Sequence, residues 1–435
     1  MTEFEVLPRY EAYRDSGIEW LGRIPSDWKV IPLRYLAKVQ TGNTPSKNID
    51  SYYSKYEGLP WIKPDELNEF KKLFSSKEKL TKKGVKEARI IPKNSVLVCC
   101  IGTIGKIGVA GCHLSTNQQI NSITFMGNVN PSFAKYLIFS SSIEHEKLAN
   151  GNVVKILNTN TQKSIHLVIP SKIEQTAIAN FLDKKTTQID EAIAIKQKQI
   201  ELLKERKQII IQKAVTQGLD PNVPMRNSGV DWIGEIPEHW KVRRSKFLFT
   251  QRKERAWKND VQLSATQAYG VIPQHEYEAR TGKTVVKIQF HLDKRKHVEQ
   301  DDFVISMRSF QGGLERAWSS GCIRSSYIIL KPLEKIEPAF YGHLLKLPSY
   351  IKALQRTASF IRDGQDLNFE NFSKIDLFIP PLEEQYSISK HIKQFMISSE
   401  NGIELLQQQI KKLKEYKTTL INSAVTGKIK IPIPV

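Results

Sequence analysis

Few segments of this chain have the residue types and spacing of a catalytic site. Asn130-Pro131-Ser132-Phe133 is nearest to the Asn/Asp-Pro-Pro-aromatic loop with which amino-methyltransferases hold an extruded base. It lacks the second proline, and no glycine-rich cofactor loop accompanies it. Asn130 is a favourable helix cap and Pro131 suits the first turn of a helix. The segment therefore predicts a helix start rather than a site of methyl transfer.

Two glycine-containing segments resemble phosphate-binding loops only in part. Gly282-Lys283-Thr284 has the end of a Gly-x-x-x-x-Gly-Lys-Thr loop, but Tyr277 stands where the first glycine is needed. Gly102–Gly108 has a glycine at every third residue and no Lys-Ser or Lys-Thr after it. Both segments are predicted to be turns, and the first is a basic one.

Carboxylates, imidazoles and thiols are also poorly spaced for metal chemistry. Asp65 with Glu69 and Lys71 could suggest a magnesium nuclease, but the carboxylates are only four residues apart and the second half of the chain has no equivalent. His291 and His297 enclose three consecutive cationic residues, which would repel a metal ion. The cysteines form no Cys-x-x-Cys pair, so neither a disulfide nor a structural metal is expected. We therefore expect no catalysis, metal or cofactor in this chain. The cysteines are Cys99, Cys100, Cys112 and Cys322.

Size and charge indicate a multidomain protein with a polyanionic partner. A chain of 435 residues with 40% hydrophobic residues is expected to form two to four domains. Its net charge of +20 favours binding to nucleic acid, because basic side chains release counterions from phosphates. A merely solubilising surface charge is the alternative. Residues 241–258 hold eight basic residues and one acidic residue, with aromatic residues among them. The acidic start and the short apolar runs predict a cytoplasmic protein.

The chain contains the same unit twice. SGIEWLGRIPSDWKV at 16–30 and SGVDWIGEIPEHWKV at 228–242 share nine of fifteen residues at an offset of 212. Residues 157–175 and 367–385, and residues 203–216 and 413–426, match at an offset of 210. Two matches that bracket similar lengths indicate a duplicated unit with a variable middle.

Each unit is predicted to be an α+β domain followed by a long helix. Strand-like runs lie at 95–101, 120–125, 165–169, 303–307, 327–330 and 375–379, and short helices lie at 131–140 and 338–347. The predicted boundaries are 1–172 and 226–382 for the two globular domains, 173–217 and 383–427 for the helices, 218–225 for a linker and 428–435 for a tail.

The two helices carry an apolar seam of period 3.5, which is typical of a coiled coil. Each could extend about 60 Å at ~1.5 Å per residue. Because a whole domain joins them, they can pack antiparallel within one chain, with the two units related by a pseudo-twofold. Two separate amphipathic helices, each on its own domain, are the alternative. The predicted seam comprises Leu182, Ile189, Ile193, Ile200, Leu203, Ile210, Ile392, Ile403, Leu406, Ile410, Leu413 and Leu420.

This order of segments resembles the DNA-specificity subunit of type I restriction-modification enzymes over essentially the whole chain. The resemblance implies two target recognition domains that each read half of a split DNA site, and helices that set the spacing and dock two methyltransferase subunits. It implies S-adenosylmethionine, ATP and Mg on the methyltransferase and motor-nuclease partners, and one copy of this chain per complex. The residues that carry it are the two leads, TGNTPS (41–46), LPWIKPDEL (59–67), IGTIGKIG (101–108), TNQQIN (116–121), MRSFQGG (307–313) and the two IP…EQ helix entries.

Base reading requires Arg, Asn, Gln, Ser or Thr side chains at groove edges, and most basic residues would instead contact phosphate. In the first domain the candidates are Thr41, Asn43, Lys47, Lys63, Thr103, Lys106, Asn117, Gln118 and Gln119. In the second they are Arg252, Lys253, Arg255, Lys258, Arg308, Ser309, Gln311, Arg324, Arg362 and Gln365. IGTIGK has no counterpart in sequence beside MRSFQGG, so an asymmetric target is expected. A stand-alone DNA-binding or scaffold protein that self-associates through its seams is the alternative function.

The spacer role predicts the effect of an insertion. Four residues inserted near Lys196 should shift one domain relative to the other and change the length of the unread gap in the DNA target. Mapping the target of the insertion variant beside the wild type measures that gap, and an unchanged gap would contradict a spacer role.

Overall fold

The duplication in the sequence corresponds to two structural units. A computed structural model describes residues 8–67, 70–151, 153–285, 294–306, 308–357 and 368–433, with only the backbone of residue 310. The first unit is Met1–Gln197 with Gln407–Val435, and the second is Lys198–Leu406. Both boundaries fall inside the long helices, so each unit contains one globular domain and half of each helix.

The first unit is built on a five-stranded sheet in the order β4-β12-β9-β10-β7 and a four-stranded sheet in the order β11-β6-β8-β5. Its strands are β1 (Tyr13–Asp15), β2 (Arg23–Pro25), β3 (Lys29–Pro32), β4 (Ala37–Thr41), β5 (Tyr53–Ser54), β6 (Leu59–Ile62), β7 (Lys72–Leu73), β8 (Lys79–Leu80), β9 (Val96–Cys99), β10 (Ile107–Ala110), β11 (Ser115–Thr116), β12 (Ile120–Phe125) and β13 (His166–Ile169). Its helices are α1 (Lys82–Lys86), α2 (Pro131–Ser140), α3 (Ser142–Leu148), α4 (Thr159–Lys163) and the start of α5 (Lys172–Gln217).

The second unit repeats this plan with a four-stranded sheet in the order β17-β24-β21-β22. Its strands are β14 (Met225–Asn227), β15 (Glu235–Pro237), β16 (Lys241–Arg244), β17 (Phe249–Arg252), β18 (Leu263–Thr266), β19 (Gly270–Pro273), β20 (Lys296–Val298), β21 (Phe303–Ile305), β22 (Glu315–Arg316), β23 (Gly321–Ile323), β24 (Ile328–Pro332) and β25 (Asp376–Ile379). Its helices are α6 (Gln274–Thr281), α7 (Ser309–Gly312), α8 (Pro338–Leu344), α9 (Pro348–Thr357), α10 (Phe369–Ser373) and the start of α11 (Leu382–Val425).

Each unit buries an aromatic core between its sheet and a short helix. This helix is α2, after β12, in the first unit and α8, after β24, in the second. In the first unit β12 lies antiparallel between β4 and β9, and Phe133 of α2 is fully buried. In the second unit Phe249, Phe303 and Tyr341 pack with ring centroids 5.5–5.6 Å apart. Burial of such large rings is the main stabilising contribution of each core.

The start of each long helix is tied to the tryptophan of the repeated lead. The Trp28 indole N–H donates to Glu174 Oε1 at 3.1 Å, and the Trp240 indole N–H donates to Glu384 Oε2 at 2.9 Å. Both tryptophans are buried, so their N–H groups need an acceptor. This bond explains why a Trp in the lead and a Glu at the helix entry recur together in both halves.

The glutamine of each IP…EQ entry completes this junction. Gln175 accepts the Asn130 backbone N–H at 2.8 Å and donates to the Pro170 carbonyl at 3.0 Å. Gln385 makes the same two kinds of bond in the second unit, at 2.9 and 2.8 Å. Both side chains are buried. One amide therefore fixes α5 to the start of α2 in the first unit, and one fixes α11 to the start of α8 in the second.

An arginine that lies outside the fifteen-residue repeat also belongs to the lead in both units. Arg14 donates to the Trp28 carbonyl at 2.6 Å, and Arg226 donates to the Trp240 carbonyl at 2.7 Å. These two residues are not among those predicted from the repeat, although they are identical at its offset of 212. Each guanidinium holds the lead in the turn that brings its Trp onto the helix.

The two long helices pack antiparallel within each unit. In the first unit Asp190 pairs with Lys417 at 2.8 Å, and Lys196 donates to Gln409 at 2.6 Å. In the second unit Lys207 pairs with Glu400 at 2.8 Å. All twelve predicted seam residues are buried or half-buried, whereas Leu202 and Leu405 beside them are more than half exposed. The α+β class, the two repeats and the antiparallel helix pair are confirmed.

The segment after α11 returns to the lead of the first unit. The Lys430 N–H donates to the Pro8 carbonyl at 2.7 Å, and the Tyr13 hydroxyl donates to the Gly427 carbonyl at 3.0 Å. In the second unit the residue after α5, Gly218, lies against Trp240. The end of one helix thus meets the lead at the start of the other in each unit. Among the described residues, no helix has the length and apolarity to cross a bilayer.

The buried glutamine predicts a stability effect. Gln175→Leu would leave the Asn130 N–H and the Pro170 carbonyl without a partner, at a cost of about 2–4 kcal/mol in the free energy of unfolding. Gln188→Leu, at an exposed position of the same helix, is the control and should change it by less than about 0.5 kcal/mol. Denaturant titration measures both, and equal stabilities for the two variants would contradict this account of the junction.

Candidate nucleic-acid interface

Two predicted motifs of the first unit meet at a tight backbone crossing. A Cβ atom on Gly42 would lie 2.1 Å from Thr116 Oγ1 and 2.5 Å from the Thr116 carbonyl oxygen, so no side chain fits there. The Asn43 N–H donates to that carbonyl at 3.0 Å. The crossing brings TGNTPS and TNQQIN together, although they are about 75 residues apart.

Several residues that were predicted to read bases lie beside this crossing and form hydrogen bonds within the protein. Thr41 donates to Asn121, which is buried and in turn donates to Gln162 at 2.9 Å. The Asn43 amide donates to the Glu87 carbonyl at 2.6 Å and accepts the Arg89 N–H at 2.8 Å. The polar types that suit base reading are here used to hold loops in place.

Asn117 and Gln119 also bond each other, with a distance of 2.9 Å between Asn117 Nδ2 and Gln119 Oε1. Lys106 donates to the Pro64 carbonyl at 3.0 Å and is half-buried. Gln118 and Thr103 are exposed, and Gln118 accepts a bond from the Thr44 hydroxyl. Of the predicted amides of the first unit, Gln118 is therefore the one best placed to reach a ligand.

Lys47 and Lys63 share one carboxylate. Glu78 binds them at 2.7 and 2.8 Å, and the Lys47 ammonium lies 3.6 Å from the Tyr53 ring centroid and 4.6 Å from that of Trp61. Burial opposes ionisation of Glu78, but the two ammonium groups hold its pKa below the usual value. The arrangement fixes two cations at the surface with a net charge of +1.

A basic helix that was not predicted from the sequence adjoins these residues. The side chains of Lys82, Lys83 and Lys86 on α1 are exposed, and Arg89 just after the helix donates to the Thr41 carbonyl at 2.7 Å. Gly84 of this helix lies against the Tyr52 backbone, where a Cβ would be 2.3 Å from the carbonyl oxygen. The signal in the sequence was KKGVKEAR, a cationic run broken by one glycine.

In the second unit a cleft of about 650 Å³ opens between β18, α6 and the loop after β21. It brings together two predicted arginines, Arg308 and Arg324, both of which are exposed. Gln267 and Tyr269, which the sequence analysis did not select, also line it. The cleft combines long cationic donors with an amide and aromatic faces, a set suited to base edges and phosphate.

Other predicted residues of the second unit have internal partners. Arg252 is largely buried and pairs with Asp302 at 2.6 Å. Ser309 is buried, and its hydroxyl accepts the Ser306 N–H at 2.9 Å. Gln311 is exposed on α7, whereas Arg362 and Gln365 lie outside the described residues, as do Met307, His291 and Glu69.

The basic loop after β17 is held by an aromatic stack. Trp257 is exposed on one face, and its other face stacks on His297 with a centroid distance of 3.7 Å. Lys253, Arg255 and Lys258 in this loop are exposed. The indole of Trp257 thus covers the buried imidazole at the surface and is not part of the core. Trp61, by contrast, is buried and donates to the Asn43 carbonyl at 3.1 Å.

The loops IGTIGK and MRSFQGG occupy the same topological place. Residues 101–106 join β9 to β10, and residues 306–314 join the corresponding strands β21 and β22. The two loops therefore correspond in the fold, although their sequences differ. One loop is glycine-rich with a single lysine, and the other carries Arg308 and a helical turn.

Within the described ranges, no group of three or more His, Cys, Asp or Glu side chains is placed to hold a metal ion. The region around His297 shows the alternative use of such residues. His297 Nδ1 lies 2.9 Å from Asp260 Oδ2, and Nε2 lies 3.0 Å from Glu299 Oε1. Two carboxylate acceptors are both satisfied only when the imidazole carries two protons.

This contact predicts a pH dependence of stability. Burial disfavours the charged imidazole of His297, but hydrogen bonds to Asp260 and Glu299 outweigh it and raise the pKa above 6.5. A pKa raised by folding gives stability that is fully present below about pH 6.5 and is lost as the pH rises through the folded-state pKa. Denaturation midpoints from about pH 6 to about pH 8.5 should therefore fall more in the wild type than in His297→Gln. Parallel curves would rule out this contribution.

Comparison with known proteins gives the family. The model of the type I restriction modification DNA specificity domain matches residues 25–205 and again 237–415. The MjaIX type I restriction enzyme specificity subunit of Methanocaldococcus jannaschii is 24% identical over 98% of this chain and 99% of its own length.

Solved structures share the fold. A chain from a study of complex assembly and conformational transition of the type I R-M system has a TM-score of 0.66 at 14% identity, over 92% of this chain and 98% of that one. The HsdS subunit of Thermoanaerobacter tengcongensis has a TM-score of 0.52 at 14% identity, over 95% and 100%. Since the family model matches most of the sequence in two copies, each copy covering one globular domain, the chain belongs to the type I restriction-modification DNA specificity family.

Proposed function

We propose that this chain is the sequence-specific DNA-binding subunit of a type I restriction-modification complex. Each globular domain reads one half of an asymmetric bipartite site, and the helix pair fixes the unread gap and docks two methyltransferase subunits. The carrying observation is that two units of the same fold present different side chains at the same topological loops. Two similar frames with different surfaces suit two different half-sites.

The exposed side chains suggest what each half reads. Gln118 in the first unit has the amide that pairs with adenine, and Arg308 and Arg324 in the second have the fork that pairs with guanine. The lysines of α1 and of the loop after β17 would contact phosphates and fix the register. Asn43 and Arg252 are assigned to loop structure, because their polar groups have partners inside the protein.

Catalysis is assigned to partner subunits. S-adenosylmethionine would be bound by the methyltransferase subunits, and ATP and Mg by the motor-nuclease subunits that join for restriction. We place one copy of this chain in a cytoplasmic complex. The alternative, a scaffold that self-associates through its seams, is disfavoured because the seam of each helix already packs against the chain's own second helix.

Substitutions should distinguish residues that read bases from residues that contact phosphates. Arg324→Ala should cost about 1–3 kcal/mol on the cognate target and relax one base pair of the second half-site only. Lys83→Ala should weaken binding to all sequences alike and reduce the slope of log K against log salt by about 0.9. Lys204→Ala, at an exposed position of α5, is the control.

Equilibrium DNA binding by the complex of this chain with its methyltransferase subunit is the measurement, repeated at several salt concentrations. Equal effects of Arg324→Ala on both half-sites would contradict the assignment of readers. Failure of the wild-type chain to bind a methyltransferase subunit or a bipartite site would contradict the proposed function itself.

A further inference from the structure

Among the described residues, one position in the fold is filled in the first unit and open in the second. In the first unit the Phe70 ring lies 4.9 Å from the Tyr136 ring and 5.0 Å from the Phe139 ring, both on α2. The Lys417 ammonium of the long helix lies 5.1 Å from the centroid of Phe70. An aromatic side chain thus fills the space between α2 and the helix pair.

The repeat identifies the same place in the second unit. Helix α2 follows β12 and helix α8 follows β24, and each begins at a proline. Counted from that proline, His343 corresponds to Tyr136. At the offset of 210, Lys207 corresponds to Lys417, and each forms an ion pair of 2.8 Å with the opposite helix. The frame around the position is therefore the same in both units.

In the second unit this position is a groove. Two adjoining cavities have volumes of about 430 and 720 Å³, and Ala268 and Gly270 line the smaller one. The residues that line both cavities are Arg316, Trp318, Ala339, His343 and Met396. Burial, with nearby cations, lowers the pKa of His343 to about 4, so this imidazole is uncharged at neutral pH, and Arg316 in the lining is paired with Asp301 at 2.6 Å.

Apolar groups of the groove remain open to solvent. Trp318 is 52% exposed and Ile397 is 51% exposed, although both line the cavity. Ser389 also lines it, and its buried hydroxyl has no hydrogen-bond partner among the described residues. Exposed large apolar side chains beside an unused buried polar atom are typical of a surface that is covered in a complex.

Among the described lining residues, those without an ion pair are Lys390, Lys393 and Glu337, so the unpaired charge at the rim is positive. Glu315 and Glu400 in the lining are already paired, with Lys346 at 2.6 Å and Lys207 at 2.8 Å. Lys390 and Lys393 on α11 are exposed at the edge. A segment that combines an apolar side chain with carboxylates would complement both the floor and the rim.

The equivalent surface of the first unit has a different character. Thr176 and Asn180 replace Tyr386 and Lys390, and Asp183 replaces Lys393. Asp183 is bonded to Lys135 and to the Tyr136 hydroxyl, both at 2.6 Å. The groove is therefore a property of the second unit, and a partner that uses it does so once per chain.

We propose that this groove docks an aromatic side chain of an acidic segment of the methyltransferase subunit bound to the second unit. The inference rests on the proposed function, in which the helix pair docks two such subunits, since Lys390, Lys393 and Ile397 lie on α11. Phe70 in the first unit shows the kind of side chain that this frame accepts. DNA is disfavoured as the occupant because Trp318, Met396 and Ile397 make much of the lining apolar, and Arg316 is already paired with Asp301.

The test is to fill the groove with a large side chain introduced into this protein. Gly342 lines the smaller cavity, and its Cβ would meet nothing closer than Arg316 Cδ at 3.8 Å, so Gly342→Trp places an indole there. Gly342→Ala is the matched control, because it gives α8 a similar gain in helix propensity without filling the space. Native mass spectrometry of the full chain titrated with purified methyltransferase subunit measures the copies bound and their affinities.

We expect Gly342→Trp to weaken one of two methyltransferase copies at least tenfold and Gly342→Ala to leave both unchanged. The double variant Lys390→Glu/Lys393→Glu, whose exposed positions spare the core, should weaken the same copy, whereas Asn180→Glu in the first unit should not. Unchanged binding by both groove variants would overturn the inference, as would a loss of DNA affinity in the free chain instead. If the wild-type chain binds no methyltransferase subunit, the proposed function fails first and the inference fails with it.

Discussion

The structure depends on the junction where a buried Trp–Glu bond and a buried glutamine amide join each globular domain to a long helix. The bond lengths of 3.1 and 2.9 Å from Trp28 and Trp240 to their glutamates are nearly the same in the two units. Buried polar groups of this kind are costly unless every one is paired, so the helix can leave its domain in only one geometry. A protein that sets a distance between two reading surfaces needs that constraint at both ends.

Around this fixed junction the two units diverge where contact with a ligand is possible. The loop between the paired strands is glycine-rich in one unit and carries Arg308 in the other. The first unit has the basic helix α1 beside the Gly42 crossing, and the second has an open cleft lined by three arginines. The two units share their fold but differ in the side chains that they expose, which is what a protein with two different half-sites requires.

Much of the arrangement of strands and helices could be predicted from the sequence. Periodicity is visible within a short segment, and the repeat is visible when the two halves of the chain are compared. Strand β12, helix α2 and the seam of the long helices follow from such patterns. The roles of single polar side chains could not be predicted. Asn43 and Ser309 have types that suit both DNA and loop structure, and Arg252 looks like a phosphate contact until Asp302, fifty residues away, is placed beside it. The open groove depends on the absence of a Phe70 equivalent among the described residues of the second unit, which only the folded chain displays.

The central claim is that one chain reads two different half-sites at a fixed spacing. Mapping of methylated adenines by single-molecule sequencing, in cells that express this chain with its methyltransferase subunit, tests it most directly. The account predicts methylation at one bipartite sequence with two unlike halves and a constant unread gap. Methylation at a continuous site, at a palindrome or at a site of variable gap would contradict it.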